Sequence, residues 1–334
     1  MQEQQEQNAD RGEMVGAAAA VQMPRLRIII SPAKKMNTDP DTFAAESLPV
    51  FLSEAEELRA YLQGLSFAEA KALWRCNDKL AELNFARLKN MELCGGSLTP
   101  ALIAYEGIQY QYLAPKTLEE AALSWLSGHL RIVSGFYGLL RPFDGVAPYR
   151  LEMQAEAKIG CCRNLYAFWG GKIYEALCAE ADSGAERAGA QLAETVSVLD
   201  RASGLCGNGC AAAAPGEARG CPADKNAPPL TILNLASKEY AKAVEPYLRP
   251  QDRWISCVFA ERADGKLRQK ATLAKMARGE MVRYLAETLG NTEINTETAL
   301  LSVLKKFDRL GFAFSEAESD GDMLVFIHEK ESGL

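Results

Sequence analysis

The stretch "IIISPAKK", residues 28–35, stops a β-branched run with a proline and two lysines. A strand that ends in such a turn places ammonium groups at its carboxyl end, where open α/β sheets bind ligands. Lys34 can pair there with a phosphate or carboxylate, or stand as a solvated lysine after a strand. "ILNLAS", residues 232–237, is a second junction of this kind. Asn234 and Ser237 can offer side-chain donors and a helix start to an anion. Ser237 can equally well do no more than cap its helix. The two junctions can share one cleft.

Residues 261–284 carry cations at Arg262, Lys266, Arg268, Lys270, Lys275, Arg278 and Arg283, against Glu261, Asp264 and Glu280. Lys275, Arg278 and Arg283 fall near one helical face. That pattern fits a phosphate-lined surface and also an ordinary solvated helix. In "RIVSGFYGLLRPFDGVAPYRLEM", residues 131–153, Gly135 and Gly138 bracket two aromatics, and Arg141 follows. Glycines in a hairpin let backbone N–H groups approach a phosphate closely. Helix-hairpin-helix DNA modules use such a turn, usually with a tighter Gly-x-Gly. Arg150, between Tyr149 and Glu152, suits an oriented anion site. A buried Arg–Glu pair that holds a turn is the other reading. Lys34, Tyr149 and Glu152 are the candidates for acid–base work.

These residues need elements to hold them. Residues 25–30 read as a buried strand. Residues 53–63 read as a helix with Ser53 as N-cap. Residues 66–91 read as one helical stretch opened by a Ser66–Glu69 capping box, and 117–134 as a helix opened by Thr117 and Glu120. Residues 101–113 read as a strand and turn, 164–181 as a helix weakened by Gly170-Gly171, and 231–244 as a strand passing into a helix. Strand 253–261, helix 272–289 and two short strands in 307–329 complete the pattern. Strands and helices alternate irregularly, which predicts a mixed α/β (α+β) fold without the period of a clean doubly wound sheet.

The 334 residues carry 37 Lys and Arg against 44 Asp and Glu, a formal net charge of −7. A polyanion would therefore need a local basic patch. Nine cysteines and two histidines give no paired C-x-x-C, so a zinc site has weak support. Reduced thiols in a cytosolic protein are the expectation. Cys206, Cys210 and Cys221 could form a redox or metal cluster, but the spacing is unspecific. No run reaches the length of a membrane span. The N-terminus lacks a signal peptide's basic region and reads as a disordered tail, residues 1–23, with Met23 as a possible second start. A single domain is expected over 24–330, interrupted by a flexible Ala-, Gly-, Cys- and Pro-rich insertion at 182–229.

"ISPAK" (30–34), "NDKLAELN" (77–84), "LRIVSGFYGLLRPFDGVAPYRLEM" (130–153), "NLYAFWG" (164–170), "LNLASKEYAKAV" (233–244), "KMARGEMVRYLAE" (275–287) and "GFAFSEAESDGDMLVF" stand in one order. In that order they resemble the YaaA family of bacterial peroxide-stress proteins, from about Met23 to Ile327. The resemblance implies a cytosolic protein that limits iron-linked oxidative damage. It also implies a mixed sheet with surrounding helices, a positively charged cleft, a helix-hairpin-helix-like element and nonspecific binding of duplex DNA. No cofactor and no metal site come with it. On the matching positions, Lys34, Gly135, Gly138, Arg141, Tyr149, Arg150, Glu152, Asn234, Ser237, Lys275, Arg278 and Arg283 are candidates for the cleft. Ile108 and Gly171 stand where the family usually has an acidic residue. An enzyme acting on a small phosphorylated or nucleotide-like substrate in the same cleft is the alternative. Direct iron storage lacks the Glu-x-x-His pairs it would need.

Overall fold

The computed structural model describes residues 25–95, 98–182, 229–263, 265–292 and 296–329. The expectations for the tail and Met23, for nearly all of the 182–229 insertion, and for Cys206, Cys210 and Cys221 lie outside them.

The strands are β1 (Arg25–Ile30), β2 (Lys35–Met36), β3 (Thr99–Pro100), β4 (Tyr105–Glu106), β5 (Leu130–Ser134), β6 (Gly138–Leu140), β7 (Gly145–Val146), β8 (Leu230–Asn234), β9 (Arg253–Ala263), β10 (Lys266–Arg268), β11 (Phe312–Phe314) and β12 (Met323–Glu329). One mixed sheet runs in the order β11-β12-β9-β8-β1-β5-β6, with β10 paired to β9. Its central strands, β12, β9, β8, β1 and β5, are parallel, and β6, β10 and β11 join antiparallel. The parallel core explains why β1 reads as a continuous apolar run: Ile28, Ile29 and Ile30 are fully buried, because a parallel strand is covered on both faces.

Register places the two faces. Ile29 lies opposite both Arg131 and Asn234, and Asn234 lies opposite Ser256, so these side chains share one face. Helix Lys172–Asp182 covers that face, its Glu180 meeting Arg131. Cys257, one residue further on, belongs to the other face, on which helix Ala271–Leu289 packs. The long helix packs its buried Ala274, Ala277, Gly279, Met281, Val282 and Leu285 inward.

Several local expectations change. The capping box of Ser66 and Glu69 forms, but the helix it opens ends at Trp74 with Arg75 in the left-handed region, and Asn77 caps a new helix, Asp78–Lys89. Helix Leu52–Gln63 begins after Phe51 without a side-chain cap, so Ser53 is not its N-cap. Residues 101–113 form short helices Ala101–Ala104 and Ile108–Leu113 around the two residues of β4, not a strand and turn. Helix Glu120–His129 stops at β5 and begins after Glu119 without a side-chain cap, with no capping box from Thr117. Thr117 instead donates to the Ala114 carbonyl. Gly170, at φ +49°, splits 164–182 into helices Leu165–Trp169 and Lys172–Asp182.

The candidate ligand crevice

From β1 the chain crosses to β5 on one side, and from β8 it crosses to β9 on the other. Adjacent parallel strands whose connections part this way leave a crevice outside their carboxyl ends. It lies between the turn after Ile30 and the turn after Asn234, so the two junctions singled out in the sequence do stand together. The Ser237 N–H donates to Ser31 Oγ at 2.8 Å, and the Ser31 hydroxyl faces Ser237 Oγ at 3.3 Å. Ser31 carried no sequence signal beyond its place in "ISPAK". Asn234 Oδ1 accepts the Ala236 N–H at 3.0 Å, and its amide reaches Ser256 Oγ at 3.4 Å. Tyr110 Oη donates to the Ser31 carbonyl at 3.0 Å and closes the turn from the far side.

The "YRLE" segment forms one wall. Lys34 Nζ lies 2.8 Å from Glu152 Oε2, with the lysine side chain 65% exposed and the carboxylate 19%. Arg150 Nη2 lies 3.4 Å from Glu152 Oε1 and 3.5 Å from the Trp74 carbonyl. The Arg150 side chain is only 9% exposed and lies beside Glu152, as in the reading of a buried Arg–Glu pair that holds a turn. Its Nε and the indole N–H of Trp74 are buried without a hydrogen-bond partner. Glu239 closes the rim by accepting the Gln154 N–H at 3.2 Å. Burial raises the Glu239 carboxyl, Glu152 adds to the rise, and Lys34 opposes it. The crevice thus sets Lys34 and Arg150 around one carboxylate that both must share. That leaves donor capacity for a carboxylate or phosphate group.

Tyr149 lies beneath this wall in the core. Ser134 Oγ accepts the N–H groups of Phe136 and Tyr137 at 3.1 and 2.9 Å. With both lone pairs taken, its hydroxyl proton points to Tyr149 Oη at 2.6 Å. Tyr149 then donates to Tyr105 Oη at 2.8 Å. Burial pushes the Tyr149 phenol up to about 12, and the bonds with Ser134 and Tyr105 pull it back only in part. A neutral phenol locked in a core chain does not suit acid–base work, so Tyr149 leaves the catalytic candidates.

Other candidates do not reach the crevice. "LRIVSGFYGLL" is a β-hairpin, β5 and β6, so a helix-hairpin-helix turn at 135–138 is corrected to two strands. Both glycines are packed. A Cβ on Gly135 would meet the Leu151 carbonyl at 2.7 Å, and one on Gly138, at φ +68°, would meet Trp169 at 2.6 Å. Their smallness admits neighbouring chain and indole, not a phosphate. Arg141 Nε pairs with Glu180 at 2.8 Å, together with Arg131. Arg283 pairs with Glu287 at 2.8 Å and donates to the Leu113 and Ala114 carbonyls and to Thr117 Oγ1. It caps helix Ile108–Leu113. Of the three cations expected on one helical face, Lys275 is exposed, whereas Arg278 and Arg283 are half-buried. Among the described residues, no group of three or more His, Cys, Asp or Glu side chains is placed to hold a metal ion. No helix among them is long and apolar enough to cross a membrane.

Comparison with known proteins decides the family. The model of the family described as peroxide stress protein YaaA matches residues 26–198 and 222–318. The chain belongs to this family. The break in the match falls inside the 182–229 stretch. A UPF0246 protein of Lactiplantibacillus plantarum is 42% identical over 304 residues, covering 91% of this chain and all of the relative. One from Pediococcus pentosaceus is 42% identical over 302 residues, 90% of this chain and 98% of the relative. One from Desulfitobacterium hafniense is 40% identical with the same coverage. The matched residues of this YaaA-family chain include both junctions, the "YRLE" wall and the long helix, so the whole crevice lies within the family's domain.

Proposed function

We propose that this YaaA-family chain serves the peroxide-stress response by binding a small ligand with a phosphate or carboxylate group in the crevice between β1 and β8. The observation that carries the reading is the convergence of Ser31, Ser237, Lys34, Arg150 and Glu152 at the ends of two adjacent parallel strands. Lys34 and Arg150 would neutralise the anion, and Ser31 and Ser237 would offer hydroxyls. Glu152, held by Lys34, would be the acid or base if the ligand is also turned over. Any limit the protein sets on iron-linked damage would act through this ligand. Titration calorimetry with inorganic phosphate and with ATP tests the reading. Saturable binding that falls about tenfold or more in Lys34→Ala, the loss of a charge-assisted contact, supports it. Absence of binding to either compound sinks it.

Duplex DNA is the second reading, favoured by Lys266, Arg268 and Lys275, three exposed cations for which no ion pair with a described carboxylate is seen. Contacts of that kind bind without reading sequence and weaken steeply with salt. Labelled duplex titrated at several salt concentrations should lose affinity in a Lys266→Ala/Arg268→Ala/Lys275→Ala variant. An unchanged salt slope in that variant would remove this surface as the contact.

A further inference from the structure

Glu239 stands where two walls of the crevice meet. It follows Ser237 by two residues, on the short helix Lys238–Ala241. Ser237 is tied to Ser31 through its N–H. From that side the Glu239 carboxylate accepts the Gln154 N–H at 3.2 Å, and Gln154 follows Glu152 by two residues. The Met153 N–H supports the same carboxylate. Tyr166 Oη donates to the Glu239 carbonyl at 3.0 Å and holds its backbone in place. One side chain thus joins the junction after β8 to the "YRLE" wall.

The charges at these walls are unevenly met. Lys34 lies 2.8 Å from Glu152 and Arg150 lies 3.4 Å from it, so both cations lean on one carboxylate. Glu239 is half-buried, and no ion pair between it and a described cation is seen. Burial and the charge of Glu152 both oppose its ionisation, and Lys34 offsets them only in part. The two backbone N–H groups use part of the acceptor capacity of a carboxylate, which has about four lone-pair sites. A cation brought from outside the chain would suit a carboxylate in that state. A ligand with negative charge alone would instead add to the repulsion at Glu239.

We infer that Glu239 is the specificity residue of the crevice, and that the ligand is a small acid that also carries an amine. Its phosphate or carboxylate would lie on Lys34 and Arg150, and its ammonium on Glu239. The inference rests on the small-anion reading above and names the second group the ligand must bring. An ammonium presents three donors, which suits a carboxylate with one side held by backbone and the rest of its lone pairs open. Such a ligand also matches the balance of the walls, Lys34 and Arg150 against Glu152 and Glu239. A duplex offers phosphates but no ammonium, so this pairing separates the ligand from a nucleic acid.

Titration calorimetry of the full chain with two matched pairs tests this: phosphoethanolamine against ethyl phosphate, and β-alanine against propionate. Each pair shares an acid group and differs by the amine. In at least one pair the amine-bearing compound should bind about tenfold more tightly than its partner, as expected for a charge-assisted contact. Glu239→Gln keeps an acceptor for the Gln154 N–H and should cancel that advantage. The amine-free compound should bind the variant no more weakly than wild type, since a repelling charge is gone. Lys34→Ala should weaken both members of the pair. Equal affinities within both pairs would overturn the assignment and leave the crevice reading standing. So would an advantage that survives in Glu239→Gln. Loss of the amine-free compound in Glu239→Gln would overturn it too, because Glu239 would then act only by holding the walls together. If none of the four compounds binds, the assignment falls; if inorganic phosphate and ATP also fail to bind, the crevice reading falls with it.

Discussion

Single side chains decide how the two junctions meet. Ser31 Oγ is the acceptor that ties the turn after β8 to the turn after β1, at 2.8 Å. Ser31→Ala should cost about 1 kcal/mol in denaturant unfolding, the worth of one buried hydrogen bond, and should loosen anion binding with it. Asp144 is a sharper case. It is buried, takes the Ser47 hydroxyl at 2.6 Å and the Arg141 N–H at 2.8 Å, and burial pushes its carboxyl up to about 6. A raised carboxyl binds its proton more tightly in the folded state. Its contribution is therefore fully present below about pH 4 and is lost as pH rises through about 6, on the order of 3 kcal/mol. Asp144→Asn can keep the Arg141 bond and donate to Ser47, so stability measured from pH 4 to 7 should lose that downward slope. An unchanged slope would assign it to another group. Glu180 has the opposite sign. Burial would raise it, but Arg131 and Arg141 outweigh burial and hold it below its ordinary value. Its stabilisation is present above its unfolded pKa and fades as pH falls through the folded one.

Helices and hairpins set the next scale. The contact between helix Ala271–Leu289 and helix Ile108–Leu113 depends on Gly279 having no side chain. Gly279→Ala should push the helices apart and cost about 1–3 kcal/mol, read as a lower midpoint in chemical denaturation. Gly265→Ala is a poor control because its φ is +70°; Gly128→Ala meets nothing within 4 Å and should be nearly silent. The β5–β6 hairpin works as a structural element: its turn N–H groups are taken by Ser134, and its glycines admit Trp169 and the 151–153 backbone.

Across the whole molecule, charge is sorted by depth. Arg27 donates to the carbonyls of Leu26, Gly128 and Glu180, closing the ends of two helices against the sheet. Burial lowers the Arg27 guanidinium to about 10, Arg131 adds to this, and Glu180 opposes it. Glu180 is thus the counter-charge for a buried arginine group, and Glu180→Gln should cost about 3–5 kcal/mol. Calorimetric unfolding at pH 7 checks this, and a loss below 1 kcal/mol would show that the arginines are satisfied without it. The amino-terminal ends of β1 and β5 are held by this paired charge, and the carboxyl ends carry cations with spare donors. That asymmetry is the physical reason to place stability at one end of the sheet and binding at the other.

Local pattern alone determined a good deal. The run "RLRIII" could only be a buried strand, Ser66 with Glu69 a helix start, and the turns after Ile30 and Asn234 were visible as junctions with anion-binding residue types. The ordered motifs placed the chain in its family. Strand order, register and depth came only with tertiary structure, because they depend on which segments pack together over long separations. "YRLE" does not say that Arg150 is buried against the Trp74 carbonyl, nor "SGFYG" that a β-hairpin has already used its amides. The helical spacing of Lys275, Arg278 and Arg283 describes one isolated face. Packing put Gly279 against Gln109 and divided those three cations among solvent, a half-buried place and a helix cap. The crevice was legible as two separate pieces of sequence, and the crossover of β1 to one side and β8 to the other made them one site.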